Sequence, residues 1–287
     1  MRPFEYIRPR SLDEASTVLA GRGADARILA GGTDLLIELR RGGTRQPGAV
    51  LDISFLDDLH GIVSVSDSFI LKPLLTHSEI MRSGALREAA PLLSRAASVI
   101  GSPQIRNRGT LGGNIMNAAA CADTVPPLIA LGATLTLRSK KGQRKLDLSE
   151  FFLEPYKTKA SPDEILTEIS FRKLPREAQS SFVKLGRRSA LSISRLSVAV
   201  ILIRDKNGKI TDARVVPGAA FPVWRRVTEA EALLIGERPS SALFAEAGRK
   251  VSETMIAETG RRWSSEYKKP VIAVLVRRAL EECVEIE

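Results

Sequence analysis

Two pairs of adjacent glycines constrain this chain more than any other feature. The first pair, Gly31 and Gly32, directly follows the short apolar segment 26–30, and the second pair, Gly112 and Gly113, lies between a threonine and an asparagine. Glycine takes positive φ and lets the backbone approach a ligand, because no Cβ intervenes. Behind the second pair, the apolar segment 124–131 predicts a buried helix whose first residues could attract phosphate. We therefore expect two glycine loops that hold one elongated anionic ligand.

Length and composition indicate an ordinary globular protein. The 287 residues are 44% hydrophobic and 26% charged, which is enough for about two domains with buried cores. No apolar run reaches the roughly 18 residues of a membrane span, and the N-terminus lacks the apolar region of a signal peptide. Cys121 and Cys283 are far apart and match no metal or disulfide spacing. We predict a cytoplasmic protein without a metal site.

The net charge of +10 raises the question of nucleic-acid binding. The basic residues are scattered in short pairs, and only 5% of residues are aromatic, too few for a stacking platform. The charge is better explained by solubility, an anionic cofactor and an acidic partner surface. No nucleic-acid partner is predicted.

Hydrophobic patterns predict an α+β protein. Strand, helix and strand alternate over residues 1–60, which predicts a small parallel βαβ unit. Residues 61–175 predict an antiparallel sheet with helices, and residues 176–287 a second antiparallel sheet with helices, its Asn207-Gly208 turn typical of a hairpin. We place the domains at 1–175, with subdomains 1–60 and 61–175, and at 176–287.

Local signals predict several helices. Ser11 and Glu14 have the spacing of a capping box for a helix over 12–20. A short helix over 34–40 should bury Leu35, Leu36 and Leu39 on one face, and a single helix is predicted over 85–100.

The two loops together resemble those of a known family. The segments AGGTDLL (30–36) and GSPQIRNRGTLGGNIMNA (101–118), followed by Asp123, look like the FAD-binding medium subunit of the molybdenum hydroxylases, which include carbon monoxide dehydrogenase and the flavin domain of xanthine dehydrogenase. The resemblance covers the whole chain, from the N-terminal Phe4-Glu5-Tyr6 through Lys184-Leu185-Gly186 into the C-terminal unit. It implies that residues 1–175 are a two-subdomain FAD-binding domain.

The resemblance also implies roles for individual residues. The first loop would give backbone N–H groups and the Thr33 hydroxyl to the FAD pyrophosphate, and the second would approach the phosphates and the flavin from the other side. Asn117 and Asp123 match positions that bind sugar or ribityl hydroxyls. Ile165 or Leu166 matches an apolar position against the isoalloxazine ring, beside which Lys184 would lie. The implied cofactor-binding residues are Leu29, Ala30, Gly31, Gly32, Thr33, Asp34, Ile100, Gly101, Gly109, Thr110, Gly112, Gly113, Asn114, Asn117, Asp123, Ile165, Leu166 and Lys184.

The family further implies partner subunits. A large subunit would carry a molybdenum cofactor and a small subunit two 2Fe–2S clusters, in a heterotrimer that dimerises. Electrons would pass from the clusters through FAD to an external acceptor such as NAD⁺, a quinone or dioxygen. The flavin performs the redox chemistry, so no catalytic residue is predicted in this chain.

Other interpretations stay open from the sequence. Asp123 could be only the N-cap of the following helix, His77 could be a structural or surface residue, and Cys121 a small buried thiol. Many family members carry Ser-Pro where this chain has Ala119-Ala120. These alanines leave open an assembly module that lost FAD. A stand-alone flavoenzyme is a separate alternative, although neither histidine lies in the predicted loops.

Overall fold

The N-terminal segment forms a parallel sheet with a helix after each of its first two strands. The computed structural model describes residues 3–42, 46–188 and 191–284. In a three-stranded sheet, the third strand lies between the other two and pairs parallel with both, as predicted. The elements in order are β1 (Glu5–Ile7), α1 (Leu12–Arg22), β2 (Ala26–Leu29), α2 (Leu35–Arg41) and β3 (Ala49–Asp52).

The middle of the chain forms a five-stranded antiparallel sheet covered by short helices. The elements are β4 (Ile62–Ser64), β5 (Ser68–Leu71), α3 (His77–Arg82), α4 (Gly84–Ala89), α5 (Pro91–Ser98), α6 (Pro103–Arg108), α7 (Leu111–Asn117), α8 (Val125–Ala130), β6 (Thr134–Ser139), β7 (Gly142–Asp147), β8 (Phe152–Glu154), β9 (Lys157–Thr158) and β10 (Ile165–Arg172). The strand order of the sheet is β4-β5-β10-β6-β7, so the helices are inserted between its second and third strands in the sequence. A two-stranded ribbon, β8-β9, precedes the central strand β10.

The C-terminal part is a three-stranded antiparallel sheet with helices. Its central strand is buried on both faces: Val198 and Val200 belong to the C-terminal core, whereas Ala199 and Ile201 belong to the core of the middle unit. Because successive side chains of a strand point to opposite faces, this one strand contributes to both cores and joins the two units. The elements are β11 (Gln179–Leu185), β12 (Leu196–Arg204), β13 (Ile210–Gly218), α9 (Thr228–Leu234), α10 (Ser241–Thr259) and α11 (Ser265–Glu281).

The predicted α+β architecture is confirmed, but three local predictions are wrong. The helix expected over 85–100 is two helices, because Pro91 has no N–H to continue α4 and instead begins α5. Leu36 is 37% exposed, and only Leu35 and Leu39 of that helix are buried. The predicted loop over 101–118 contains helices α6 and α7.

One of the two hydrogen bonds of the predicted capping box is present at the start of α1. The Ser11 hydroxyl accepts the Glu14 N–H, as expected. The Glu14 carboxylate, however, accepts the Arg10 N–H at 2.7 Å rather than that of Ser11. The domain boundaries near 60 and 175 stay predictions.

Candidate functional site

A cleft of about 470 Å³ separates the parallel sheet from the antiparallel sheet of the middle unit. Its volume lies within the roughly 300–1,000 Å³ of small-molecule sites. The cleft brings together most of the residues that the sequence analysis assigns to the cofactor. The predicted residues that line the cleft are Ala30, Gly31, Gly32, Thr33, Asp34, Gly109, Thr110, Gly112, Gly113, Asn114, Asn117, Ile165 and Leu166.

The first glycine loop offers unpartnered backbone donors to this cleft. Strand β2 ends at Leu29, and helix α2 begins at Leu35. Gly32, between them, has φ +74°, a left-handed conformation in which glycine is favoured. The amide N–H groups of residues 31–34 donate to no acceptor within the described part of the chain. Four successive free amides at a cleft wall form a site suited to an anion.

Gly31 has a structural role in addition to the predicted one. A Cβ placed on Gly31 would lie 1.9 Å from the carbonyl oxygen of Arg108. Arg108 is the last residue of α6, directly before the second glycine loop. The two loops therefore touch through their main chains, and Gly31 is required for this contact between loops rather than only for a ligand's approach.

The second glycine segment is a helix start whose amides are already used. The Thr110 hydroxyl caps α7 by accepting the Gly113 N–H at 3.1 Å. The Leu111 and Gly112 amides donate to the carbonyls of Leu75 and Pro73, both at 2.8 Å. The amides of Leu111, Gly112 and Gly113 are therefore not available to a ligand, because the cap and the neighbouring segment occupy them. This segment presents side chains and the open face of Gly113 instead.

Side chains of α7 and β10 complete the cleft wall. The Asn114 Oδ1 accepts a hydrogen bond from the Thr124 hydroxyl at 2.7 Å, which fixes the amide and leaves its NH₂ group as the remaining donor. Asn117 is half-buried and also lines the cleft. Ile165 and Leu166 are buried and supply the apolar part of the wall.

The helix predicted over 124–131 exists but does not face the cleft with its N-terminus. Helix α8 is buried along its whole length, and Pro126 and Pro127 in its first turn have no N–H to offer. Thr124 and Val125 are not among the residues that line the cleft. The first turn of α8 therefore offers no N–H from Pro126 or Pro127 to a phosphate.

Asp123 and Lys184 bind each other behind the cleft. Lys184 Nζ lies 2.7 Å from Asp123 Oδ2 and 2.9 Å from the carbonyl oxygen of Val99. The Ser194 hydroxyl donates to the second oxygen of Asp123. Burial raises the pKa of the Asp123 carboxyl, and the Lys184 ammonium opposes that rise. The interpretation of Asp123 as a helix N-cap is wrong, because Thr124 is the N-cap of α8 and no side chain caps it.

Ile100 and Gly101 also lie outside the cleft wall. Their carbonyl oxygens accept hydrogen bonds from the Arg106 guanidinium, at 2.8 Å and 3.1 Å. Gly101 has φ +41°. The side chain of Arg106, in α6, thus holds the backbone of this predicted pocket segment. Leu29, at the end of β2, is likewise absent from the cleft lining.

Glu164 and His77 are two of the lining residues that the sequence analysis did not assign to the site. Glu164 accepts hydrogen bonds from the Arg144 guanidinium, which lowers the pKa of that carboxyl, and from the Ser161 N–H at 2.7 Å. This pairing fixes the loop before β10 that forms one end of the cleft. His77, interpreted above as structural or surface, is buried and lines the cleft, and burial lowers the pKa of its imidazole to about 4. Neither residue lies in a glycine motif, so no local signal marked them.

The described residues hold neither a metal cluster nor a membrane-spanning helix. Among the described residues, no three His, Cys, Asp or Glu side chains cluster as a metal site would require. None of the helices those residues form combines the length and apolar character needed to cross a bilayer.

Comparisons with known proteins match the chain along nearly its whole length. A family model described as the FAD binding domain in molybdopterin dehydrogenase matches residues 2–174, and one described as the CO dehydrogenase flavoprotein C-terminal domain matches residues 181–283. The 6-hydroxypseudooxynicotine dehydrogenase complex subunit alpha of Paenarthrobacter nicotinovorans is 30% identical over 99% of this chain and 96% of its own. The xanthine dehydrogenase FAD-binding subunit of Escherichia coli O157:H7 is 35% identical over 79% of this chain and 77% of its own.

A solved structure shares the fold. Carbon monoxide dehydrogenase from Hydrogenophaga pseudoflava, in a form that lacks the Mo-pyranopterin moiety, contains a chain that superimposes with a TM-score of 0.89 at 30% identity. The match covers 99% of this chain and 98% of that one.

Proposed function

This chain belongs to the family of FAD-binding subunits of the molybdopterin dehydrogenases, and from that premise we propose that it transfers electrons between partner subunits and an external acceptor. The predicted family, its FAD cofactor and its assignment as an oxidoreductase flavoprotein subunit are confirmed. The route of the electrons, the partners and the residues that touch FAD are the parts we propose.

The proposed position of the cofactor rests on the free amides of the first loop. A pyrophosphate bears negative charge that several oriented N–H groups stabilise together. The amides of residues 31–34 are such a set, and the Thr33 hydroxyl lies beside them. Among the described residues, no lysine lines the cleft, and the one arginine that does, Arg27, pairs with Glu38. We therefore propose that residues 31–34 hold the phosphates.

The remaining lining residues suit the sugar and ring portions. Asn114 and Asn117 offer amide groups of the type that sugar hydroxyls bond. Ile165 and Leu166 offer a buried apolar surface against which a flat ring can pack and from which water is excluded. Bound there, FAD supplies the two-electron and one-electron redox chemistry that protein side chains lack.

The contacts of Asp123 and Lys184 support an indirect role for them. Both side chains are nearly enclosed, with exposures of 6% and 12%, and they pair across 61 residues of chain. Lys184 lies on β11 of the C-terminal sheet, whereas Asp123 directly precedes α8. The pair thus ties the C-terminal unit to the FAD-binding unit behind the cleft. Direct contact of either residue with FAD stays a prediction.

The chain's charge and its relatives support a place in a larger assembly. The relative from Paenarthrobacter nicotinovorans is a subunit of a dehydrogenase complex. We propose a molybdenum-cofactor large subunit and a small subunit with 2Fe–2S clusters as partners, in a cytoplasmic heterotrimer that dimerises. Electrons would enter from the small subunit and leave to NAD⁺, a quinone or dioxygen. The net charge of +10 favours acidic partner surfaces.

The first experiment is the visible spectrum of the purified full chain, with chromatographic identification of any flavin released on denaturation. We expect about one FAD per chain, either copurified or taken up on addition. A colourless chain that takes up no FAD would contradict the proposed site. Reduction of the flavin by an organic substrate without partner subunits would contradict the electron-transfer proposal and favour a stand-alone enzyme.

A further inference from the structure

His77 is a buried polar side chain at the wall of the cleft. It is the first residue of α3 and only 3% exposed. Its backbone N–H donates to the carbonyl oxygen of Gly109 at 3.1 Å, so the ring is anchored beside the second glycine segment. A Cβ on Gly109 would lie 3.1 Å from Cδ2 and 3.4 Å from Nε2 of the ring. The Cδ2–Nε2 edge of the imidazole therefore packs on Gly109, which lines the same cleft.

The two ring nitrogens are in different situations. Nδ1 is enclosed and has no hydrogen-bond partner within the described residues. An enclosed donor without an acceptor is rarer and more costly than an enclosed acceptor without a donor. The proton of the neutral ring therefore belongs on Nε2, the nitrogen beside the cleft-lining Gly109, and Nδ1 keeps its lone pair.

The surroundings keep this ring neutral. Burial and then the nearby Arg106 guanidinium lower the pKa of His77 to about 4. At neutral pH the imidazole consequently offers one N–H donor and no positive charge. The other histidine, His60, is exposed, and its Nε2 lies 3.3 Å from the carbonyl oxygen of Ser54. Of the two histidines, His77 is the one that lines the cleft, and its ring N–H donates to no acceptor within the described residues.

We infer that His77 is a cofactor-binding residue whose Nε2–H donates a hydrogen bond to a phosphate or sugar oxygen of the ligand in the cleft. This inference rests on the proposed function, because that function supplies FAD as the ligand. It assigns a donor on the side of the cleft where the amides of α7 are already used. It also explains why a polar ring occupies an enclosed position that an apolar side chain would fill without leaving Nδ1 unpartnered.

The test compares three variants of the full chain freed of flavin: His77→Leu, His77→Gln and, as the matched control, His60→Gln. Loss of one hydrogen bond should weaken FAD binding about three- to tenfold in His77→Leu. His77→Gln keeps an N–H donor and should recover part of the affinity, and His60→Gln should bind like the parent. The apo form of His77→Leu should melt no lower than the parent, because no unpartnered nitrogen remains.

Nitrogen-15 NMR of labelled histidine gives a readout that is independent of affinity. The chain has two histidines, so the signals are readily assigned from the His60→Gln variant. We expect the Nε2–H tautomer for His77 and a shift of its Nε2 resonance on addition of FAD, with His60 unchanged. Unchanged FAD affinity in a folded His77→Leu variant, or an unmoved resonance in FAD-saturated parent, would overturn the inference. A parent chain that binds no FAD would instead overturn the proposed function.

Discussion

Removing one member of the Asp123–Lys184 pair should destabilise the apo protein severely. Lys184→Met would leave the Asp123 carboxylate enclosed, with only the Ser194 hydroxyl as a side-chain donor. The side-chain exposures of 12% and 6% leave little water to solvate the remaining charge. Breaking a buried pair in this way costs about 3–5 kcal/mol of unfolding free energy. Asp123→Asn combined with Lys184→Met removes both charges, so the double variant should recover about 1–3 kcal/mol of that loss.

The assay is urea unfolding of the four flavin-free chains in a double-mutant cycle, followed by far-UV circular dichroism. The exposed pair Lys157 and Glu154 is a matched control, since its side chains are 62% and 60% exposed. Lys157→Met should cost only about 0–1 kcal/mol. A cost for Lys184→Met that is no larger than this control, or a cycle without coupling, would refute the reasoning.

The same variants also distinguish an indirect role from direct cofactor contact. Because both oxygens of Asp123 are bonded within the protein, Asp123→Asn should lower the stability of the apo form more than it lowers FAD affinity. Affinity lost beyond tenfold with unchanged apo stability would show instead that the carboxylate contacts FAD.

Three further predictions concern the cleft wall. Gly31→Ala places a Cβ 1.9 Å from the Arg108 carbonyl oxygen and should lower the unfolding free energy of the apo form by about 1–3 kcal/mol, measured by urea unfolding. The same change should widen the cleft and lower the affinity for FAD in a fluorescence titration. Gly113→Val places a Cβ 2.8 Å from the Thr110 hydroxyl; it should cost about 1 kcal/mol through the cap yet abolish FAD binding, and retained affinity would remove that face from the site. His77 binds a proton near pH 6.5 when unfolded but only near pH 4 when folded. Unfolding free energy should therefore fall from pH 6.5 to pH 4, by about 3 kcal/mol at the lower end, and this part of the fall should be absent in His77→Gln.

Much of the fold follows from the sequence because its signals are local. The strands at 26–29, 49–52 and 165–172 have the apolar character of buried strands, and the Asn-Gly turn between β12 and β13 is a strong hairpin signal. Helices are harder to predict where proline or glycine occurs within the segment. Pro91 favours a helix start as much as a helix break, so it splits a segment whose apolar spacing alone suggests one helix. Glycines within α7 lower its helix propensity, although Thr110 caps it.

The site could be predicted only in part, since motifs identify residues but not how their hydrogen bonds are used. Glycine pairs predicted two loops at one cleft, and both loops line it. Whether an amide is free depends on partners distant in sequence: the Gly112 N–H is taken by Pro73, whereas those of residues 31–34 are not taken. The same holds for Lys184, whose partner Asp123 lies in another unit. Lys184 reaches Asp123 because β11 packs beside α5, and no local pattern in the sequence encodes that packing.

The contact between Gly31 and the Arg108 carbonyl has a consequence for how such proteins evolve. At position 31 a larger side chain is excluded by the architecture itself, so selection would retain glycine there even in a descendant that had abandoned its cofactor. Gly113 is different, because a Cβ there would meet only the Thr110 hydroxyl and the space of the cleft. After loss of the ligand, substitutions would accumulate at position 113, whereas position 31 would remain glycine. The rate of change at these two glycines among relatives therefore distinguishes inheritance of the scaffold from continued use of the flavin.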